Sequence, residues 1–229
     1  MNYKMSHIVY GDIMKVIEII KKNRSFLLSI LLLFAVRWSF ADQYRVPSES
    51  MFPQLHIGDH IAVNKMAYDL KLPFTSQSLK KISDPQRGDV IVFIWPGDNS
   101  STFVKRLIGL PGDRIHIENG FVTINGAKLA DFALEGSAKE LLYDEHLESH
   151  TYHVQRVPRI AREQRLDLVV PDGEYFFMGD NRDNSLDSRY WGFVKREALK
   201  GKVDFVLWNI RFDNILPELE LNRIGSKVL

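Results

Sequence analysis

The chain has 229 residues, a formal net charge of +1 and no cysteine. That length allows one sizeable domain, or a domain with an insertion, and near-neutrality leaves no electrostatic case for a nucleic-acid partner. The absence of cysteine excludes disulfides, thiolate metal ligands and cysteine nucleophiles, so the fold must rest on its hydrophobic core.

Lys15, Lys21, Lys22 and Arg24 precede the only long apolar run, SFLLSILLLFAV (Ser25–Val36), which continues past Arg37 as WSFA to Ala41. The 17 residues of this stretch stand at the short end of the roughly 17–25 needed to span a bilayer. Arg37 lies where its stem can snorkel to headgroups, and Trp38 and Phe40 suit an interfacial belt. With basic residues stacked on one side, the pattern predicts a cytoplasmic segment over 1–24, a transmembrane anchor over 25–41 and an extracytoplasmic domain over 42–229. Two alternatives stay open. The run could be a cleavable leader, since Ser39-Phe40-Ala41 offers small residues at −3 and −1, or a buried core helix. The uncleaved anchor is favoured, because Ser50 follows it so closely. Met1, Met5 and Met14 are all readable starts.

Past residue 60 the pattern turns to β. HIAVNKMAY, GDVIVFIW and STFVKRLIGL are short apolar or alternating runs. RIHIENGFVTINGAKL reads as two strands around Asn119-Gly120, a hairpin dipeptide. EYFFMGD and GKVDFVLWNI add two more, and turn signals fall at Pro96-Gly97-Asp98, Pro111-Gly112-Asp113 and Pro171-Asp172-Gly173. The fold class expected is mainly β, a barrel-like or sandwiched antiparallel domain preceded by one transmembrane helix. Residues from about 128 to 168 are charged and contain helix-compatible pieces such as ALEGSAKELLYDEHL; they read as an inserted subdomain.

The chemistry centres on Ser50, in VPSESMFPQLHIGD, and Lys105, in FVKRLIGLPGD. A serine hydroxyl is a weak nucleophile until a base takes its proton. None of the seven histidines lies in a motif typical of a triad. Serine–lysine pairs are a known variant, and they need a desolvated, neutral amine. Phe103, Val104, Leu107 and Ile108 around Lys105 would supply apolar cover, although a lysine in an amphipathic strand usually faces solvent.

A third block, GDNRDNSLDSRYWG, begins at Gly179. Its oxygen-rich stretch from Asp180 to Asp187 lacks the Gly and Glu of a calcium loop. A glycosidase carboxylate pair is conceivable there but leaves Ser50 and the anchor unexplained. His146, His150 and His153 would share one face of a helix. A zinc site is one reading and a solvated face of the insert the favoured one. No metal or organic cofactor is expected.

Together, VPSESMFPQLHIGD, RGDVIVF with FVKRLIGLPGD, and GDNRDNSLDSRYWGFV resemble the serine, lysine and downstream boxes of bacterial type I signal peptidases, in the family's order. The resemblance implies a membrane-bound serine endopeptidase, with Ser50 as nucleophile and Lys105 as general base. It implies that Ser48 joins the Ser50 N–H in an oxyanion hole and that Ser185 holds Lys105 by a hydrogen bond. Asp187 and Arg189 become a supporting ion pair; if the segment is extended, Ser185, Asp187 and Arg189 point to one face.

The resemblance also places Val46, Pro47, Met51, Leu55, Phe103 and Val104 at the substrate. An extended peptide would add to strand edges near Val46–Ser50 and Phe103–Lys105, and small side chains would be preferred in an Ala-x-Ala pattern. The implied partners are signal-peptide-bearing preproteins leaving the export machinery, and the lipid bilayer. The implied location is the bacterial cytoplasmic membrane, single-pass, with the catalytic domain outside. The chain departs from the common pattern at Glu49, where Gly is usual, and at Gln54, where Thr is frequent. A non-catalytic signal-peptide-binding β-domain and a dedicated pilin- or conjugation-type peptidase are the alternatives.

Overall fold

The computed structural model describes residues 14–15, 18–72, 75, 77–130, 133–137, 140–148, 150–160, 165–211 and 218–228. The apolar run forms helix α1 (Arg24–Phe40), which gives way at Ala41 to the first strand. Leucine-rich sequence without Pro or Gly favours a helix. Phe26, Leu28, Leu31, Leu32 and Leu33 on it are exposed. Among the described residues no helix is long and apolar enough to cross a membrane.

The strands run β1 (Ala41–Arg45), β2 (Asp59–Asn64), β3 (Asp69–Lys71), β4 (Ser78–Lys81), β5 (Val90–Ile94) and β6 (Thr102–Gly109). Then come β7 (Arg114–Glu118), β8 (Phe121–Ile124), β9 (Ala127–Lys128), β10 (Ala133–Ser137), β11 (Glu140–Leu147) and β12 (His150–Arg156). The last are β13 (Arg165–Val169), β14 (Glu174–Met178), β15 (Val194–Lys195), β16 (Leu199–Arg211) and β17 (Glu218–Leu219), with a short helix α2 (Ser188–Trp191) after β14. The mainly β expectation holds.

An eight-stranded antiparallel sheet, in order β1-β2-β16-β5-β6-β14-β15 with β17 beside β16, carries the chemistry. Its centre is written in the sequence. The continuous run VIVFI of β5 is buried on both faces except at Ile94, as a central strand requires. On β2, Ile61 and Val63 point inward while His60, Ala62 and Asn64 are half-buried, the period-2 pattern of a sheet with one core face. The long β16 breaks register with β2 at Val203/Phe205 and again at Val206/Trp208. Such bulges add twist and curl the sheet. At the expected hairpin, Glu118 faces Phe121 across Asn119 (φ 49°) and Gly120 (φ 78°). Two positive φ values are what a type I′ turn demands.

The described residues of the stretch ALEGSAKELLYDEHL are not helical. They supply β10 and all of β11, in a three-stranded sheet β10-β11-β12. Pairing on both sides of β11 satisfies its backbone, and along it Glu145 and Leu147 are buried while His146 is exposed. Tertiary pairing here overrides local helix propensity. Leu147, Tyr152 and Val154 join a core with Ile108, Ile115, Ile117, Phe176 and Met178. At roughly 1.5–3 kcal/mol for each buried large apolar side chain, this core binds the charged stretch firmly to the main sheet.

The histidine spacing loses its helical meaning as well. His146 lies opposite Thr151 and His153 opposite Asp144 on the β11–β12 ladder. His146 Nδ1 is 3.0 Å from Thr151 Oγ1, and His153 Nδ1 pairs with Asp144. Among the described residues no group of His, Cys, Asp and Glu could hold a metal ion.

Candidate active site

Ser50 sits in a single 3-10 turn, Glu49–Met51, that follows the extended residue Ser48. The turn is held from three directions. Val46 exchanges backbone bonds with Asp59 (2.8 Å) and Gly58 (3.0 Å). Met51 and Leu55 are fully buried, and Leu55 N donates to Met51 O at 2.8 Å. On the far side Asn181 N donates to Ser50 O at 3.1 Å. That contact needs Gly179. A Cβ there would lie 2.3 Å from Ser50 O and 2.2 Å from Ser185 Oγ, far inside van der Waals range.

Lys105 reaches the same point from β6. Its Nζ donates to Ser50 Oγ at 2.7 Å and to Val104 O at 3.0 Å, and rests 5.5 Å from the Phe103 ring centroid. Only 4% of the residue is exposed. Burial disfavours the ammonium form and brings the pKa of Lys105 down to about 8, while Asp187 and Asp180 pull it back up and Arg189 pushes it down. The amine is therefore half neutral in mildly alkaline water. Ser48 Oγ lies 3.3 Å from Ser50 Oγ on the exposed side.

Asp187 and Arg189 form a buried, two-pronged pair, with Arg189 Nε and Nη2 each 2.8 Å from the carboxylate. They meet because Asp187 caps helix α2, not because the segment is extended through Arg189; Asp187 also accepts from Arg189 N at 3.3 Å and from Gly179 N at 2.9 Å. Burial alone would raise the Asp187 carboxyl, but the Arg189 guanidinium and these bonds hold it below the usual carboxylate range. Ser185 is buried against Gly179 and Asp187, yet among the described residues its Oγ makes no well-aligned hydrogen bond, and Lys105 donates elsewhere.

A cleft of about 250 Å³ opens over the pair, lined by Pro47, Ser48, Ser50, Phe103, Val104 and Lys105. Val46, Met51 and Leu55 do not line it; they are core residues beneath, packed with Ile61, Val63 and Val90. Tyr44, Arg45, Ile61, Val92 and Thr102 complete the walls and were not legible as such in the sequence. The period-2 pattern of β2 marks Ile61 as inward-facing and the continuous apolar run of β5 marks Val92 as buried, but neither marks which end of the core opens.

The floor of the site is charged. Arg106, next to Lys105 on the opposite face of β6, is fully buried and grips Asp180 through Nε (2.8 Å) and Nη2 (2.7 Å). Its guanidinium stacks 3.8 Å from the Tyr152 ring. Arg182 is buried too and pairs with Glu145 of β11, while its Nε donates to Gly179 O at 3.1 Å. The third block of the sequence is thus clamped to both β6 and β11. Removing one member of a fully buried pair leaves an uncompensated charge, which typically costs about 3–5 kcal/mol.

On the cleft side, β6 pairs with β14 only from Arg106 onward. Thr102 to Lys105 pair with β5 alone, so among the described residues this half of β6 keeps one unpaired edge beside Ser50.

Residues 17–208 match the family described as Signal peptidase, peptidase S26. Similar relatives include signal peptidase I of Buchnera aphidicola subsp. Baizongia pistaciae, 32% identical, with 98% of this chain and 87% of the relative covered. Signal peptidase I of Pseudomonas fluorescens is 35% identical over 83% of this chain and 72% of its own length. Signal peptidase I of Aquifex aeolicus is 34% identical over 84% and 85%. A solved signal peptidase I from Enterococcus faecalis is 32% identical, covers 53% of this chain and 98% of that chain, and superposes with a TM-score of 0.36.

Proposed function

Because the chain belongs to the signal peptidase family, peptidase S26, and is a type I signal peptidase, a serine endopeptidase that removes signal peptides, we propose that Ser50 is its nucleophile and Lys105 its general base. The observation that supports this most directly is the 2.7 Å contact between Ser50 Oγ and a buried amine whose pKa is about 8. When Lys105 is neutral, its lone pair takes the Ser50 proton as Oγ bonds to the scissile carbonyl carbon. The resulting ammonium gives that proton to the leaving amine. A water then enters and bonds to the acyl carbon as Lys105 takes its proton; the Lys105 ammonium returns a proton to Ser50 Oγ as the acyl–oxygen bond breaks and the signal peptide leaves with its new carboxyl end.

The Ser50 N–H and Ser48 Oγ stabilise the oxyanion; a donor aimed at such developing charge is worth about 2.7–4 kcal/mol. Asp187 and Arg189 position the wall behind Lys105, and Ser185 fills the gap between Gly179 and that wall. The signal-peptide half of the substrate adds as a strand to the unpaired edge Thr102–Lys105, and its small −1 and −3 side chains settle between Ile61, Val92 and Val104.

Helix α1 is the membrane anchor in this reading. Its residues Phe26, Leu28, Leu31, Leu32 and Leu33 are exposed together, and large exposed apolar surface calls for a partner. Lys21, Lys22 and Arg24 keep the N-terminus cytoplasmic and β1 leads directly outward to Ser50. The preprotein substrates thus reach the site as they emerge from the export machinery.

Incubation of the purified protein with a preprotein, read by mass spectrometry, tests the dyad. Wild type should cut after a small residue, and Ser50→Ala and Lys105→Ala should not. Turnover retained by either alanine variant would sink the assignment. Protease accessibility of the domain in sealed inside-out vesicles would overturn the orientation.

A further inference from the structure

Two hollows flank the Glu49–Met51 turn. One is the cleft over Ser50 and Lys105. The other, of about 230 Å³, is lined by Glu49, Phe52, Gln155, Ile160, Asn181 and Asn184. It begins one residue from the nucleophile, because the Ser50 carbonyl is bonded to Asn181 N. A peptide lying across Ser50 has one half on each side. With the signal-peptide half along Thr102–Lys105, the half that leaves with the new amine lies toward Glu49.

The second hollow is rich in acceptors. Asn181 is 3% exposed, and its Oδ1 has no hydrogen-bond partner among the described residues. A buried acceptor left unpaired is costly and is satisfied by a donor when one arrives. Glu49 is exposed and makes no ion pair among the described residues. The neighbouring carboxylate, Asp183, is already committed to Arg156 Nε and Val157 N, at 2.9 and 2.7 Å. Among the described residues that line the hollow, Glu49 is the charged one, and it sets their sign.

We propose that this hollow receives the first residues of the mature chain, and that Glu49 with Asn181 makes it selective for a cationic, donor-bearing side chain there. The inference rests on Ser50 being the point of attack. It gives a role to the residue at which the serine box departs from its common pattern, and it makes cleavage sensitive to sequence beyond the scissile bond.

The test uses the full-length enzyme in detergent and a set of peptides sharing one signal-peptide half. Each carries Lys or Glu at +1, +2 or +3, and kcat/KM is measured for every peptide. Wild type should favour Lys over Glu by about two- to five-fold at one of these positions, the range of an exposed ion pair. Added salt should shrink that ratio. Glu49→Gln should bring it close to one, and Glu49→Lys should invert it. Asn184→Asp, at an exposed position, should enlarge it. A ratio of one at all three positions in wild type, or a ratio that responds to neither Glu49→Gln nor Asn184→Asp, overturns the proposal. Failure of the nucleophile assignment is seen separately, as turnover by Ser50→Ala.

Discussion

Lys105 Nζ lies 2.7 Å from Ser50 Oγ across 55 residues of chain, and the carbonyl of its own neighbour, Val104, takes its other hydrogen bond at 3.0 Å. The amine is aimed at the serine by backbone, not by a second side chain. Its chemistry then follows from being buried rather than from being paired.

Replacing Lys105 with Met should abolish processing without unfolding the domain. The methionine fills similar volume and removes a buried amine, and exchange of buried charge for apolar bulk is often neutral or stabilising. Lys105→Arg should be inactive as well, since a guanidinium stays charged and needs more space. Thermal denaturation with a preprotein assay checks both; a Met variant that melts far below wild type would contradict the first expectation.

Activity should rise with pH along an acidic limb near pH 8, as Lys105 loses its proton. Stability follows the same group. Its folded pKa of about 8 lies below the 10.5 of the free side chain, so the unfolded chain binds the extra proton between those values. Stability from this group therefore rises with pH from about 8 to about 10.5, by up to about 3 kcal/mol, and is absent below about 8. In denaturant melts, wild type should gain about 2 kcal/mol more stability than Lys105→Met between pH 7.5 and pH 10. Parallel curves would show that Lys105 titrates normally.

Asp187→Asn should shift the acidic limb to lower pH. Asp187 raises the Lys105 pKa, so removing its charge makes the amine easier to deprotonate. The same change strands the Arg189 guanidinium, at a cost of about 3–5 kcal/mol in stability. A limb that stays put or moves upward in the folded variant would exclude this coupling.

Gly179→Ala should reduce activity more than stability. Its Cβ would press on Ser50 O at 2.3 Å and on Ser185 Oγ at 2.2 Å, so relief must move the turn that carries Ser50. A fall in kcat of at least about ten-fold is expected, since small misplacements of reacting groups are expensive. Wild-type kcat in a folded Ala variant would show that the turn tolerates displacement.

Substrates with Phe at −1 should be refused where Ala is accepted. The cleft of about 250 Å³ is walled by Ile61, Val92 and Val104, and widening it would disturb the packed core beneath. Competition between Ala and Phe preproteins measures this directly; equal rates would remove the pocket assignment.

The proposed chemistry of this protein was legible in one dimension. Ser50, Lys105 and the block from Gly179 carry the resemblance from which the proposed serine nucleophile, amine base and ion pair are drawn, and β2 and β7–β8 are marked as strands by period-2 burial and an Asn-Gly turn, β5 by its continuous apolar run. These signals are local, so sequence alone determines them. What sequence left open is non-local. Whether Lys105 faces solvent or core depends on the Ser50 turn and the block from Gly179 closing over β6, and only that closure removes water and lowers its pKa. Met51 and Leu55 read as substrate contacts, but the fold turns them into the core under the turn. The stretch ALEGSAKELLYDEHL has helical propensity, yet β12 offers β11 a ladder and Arg182 offers Glu145 a buried partner. Desolvation and strand pairing depend on residues distant in the chain, and for that reason only the tertiary structure could decide them.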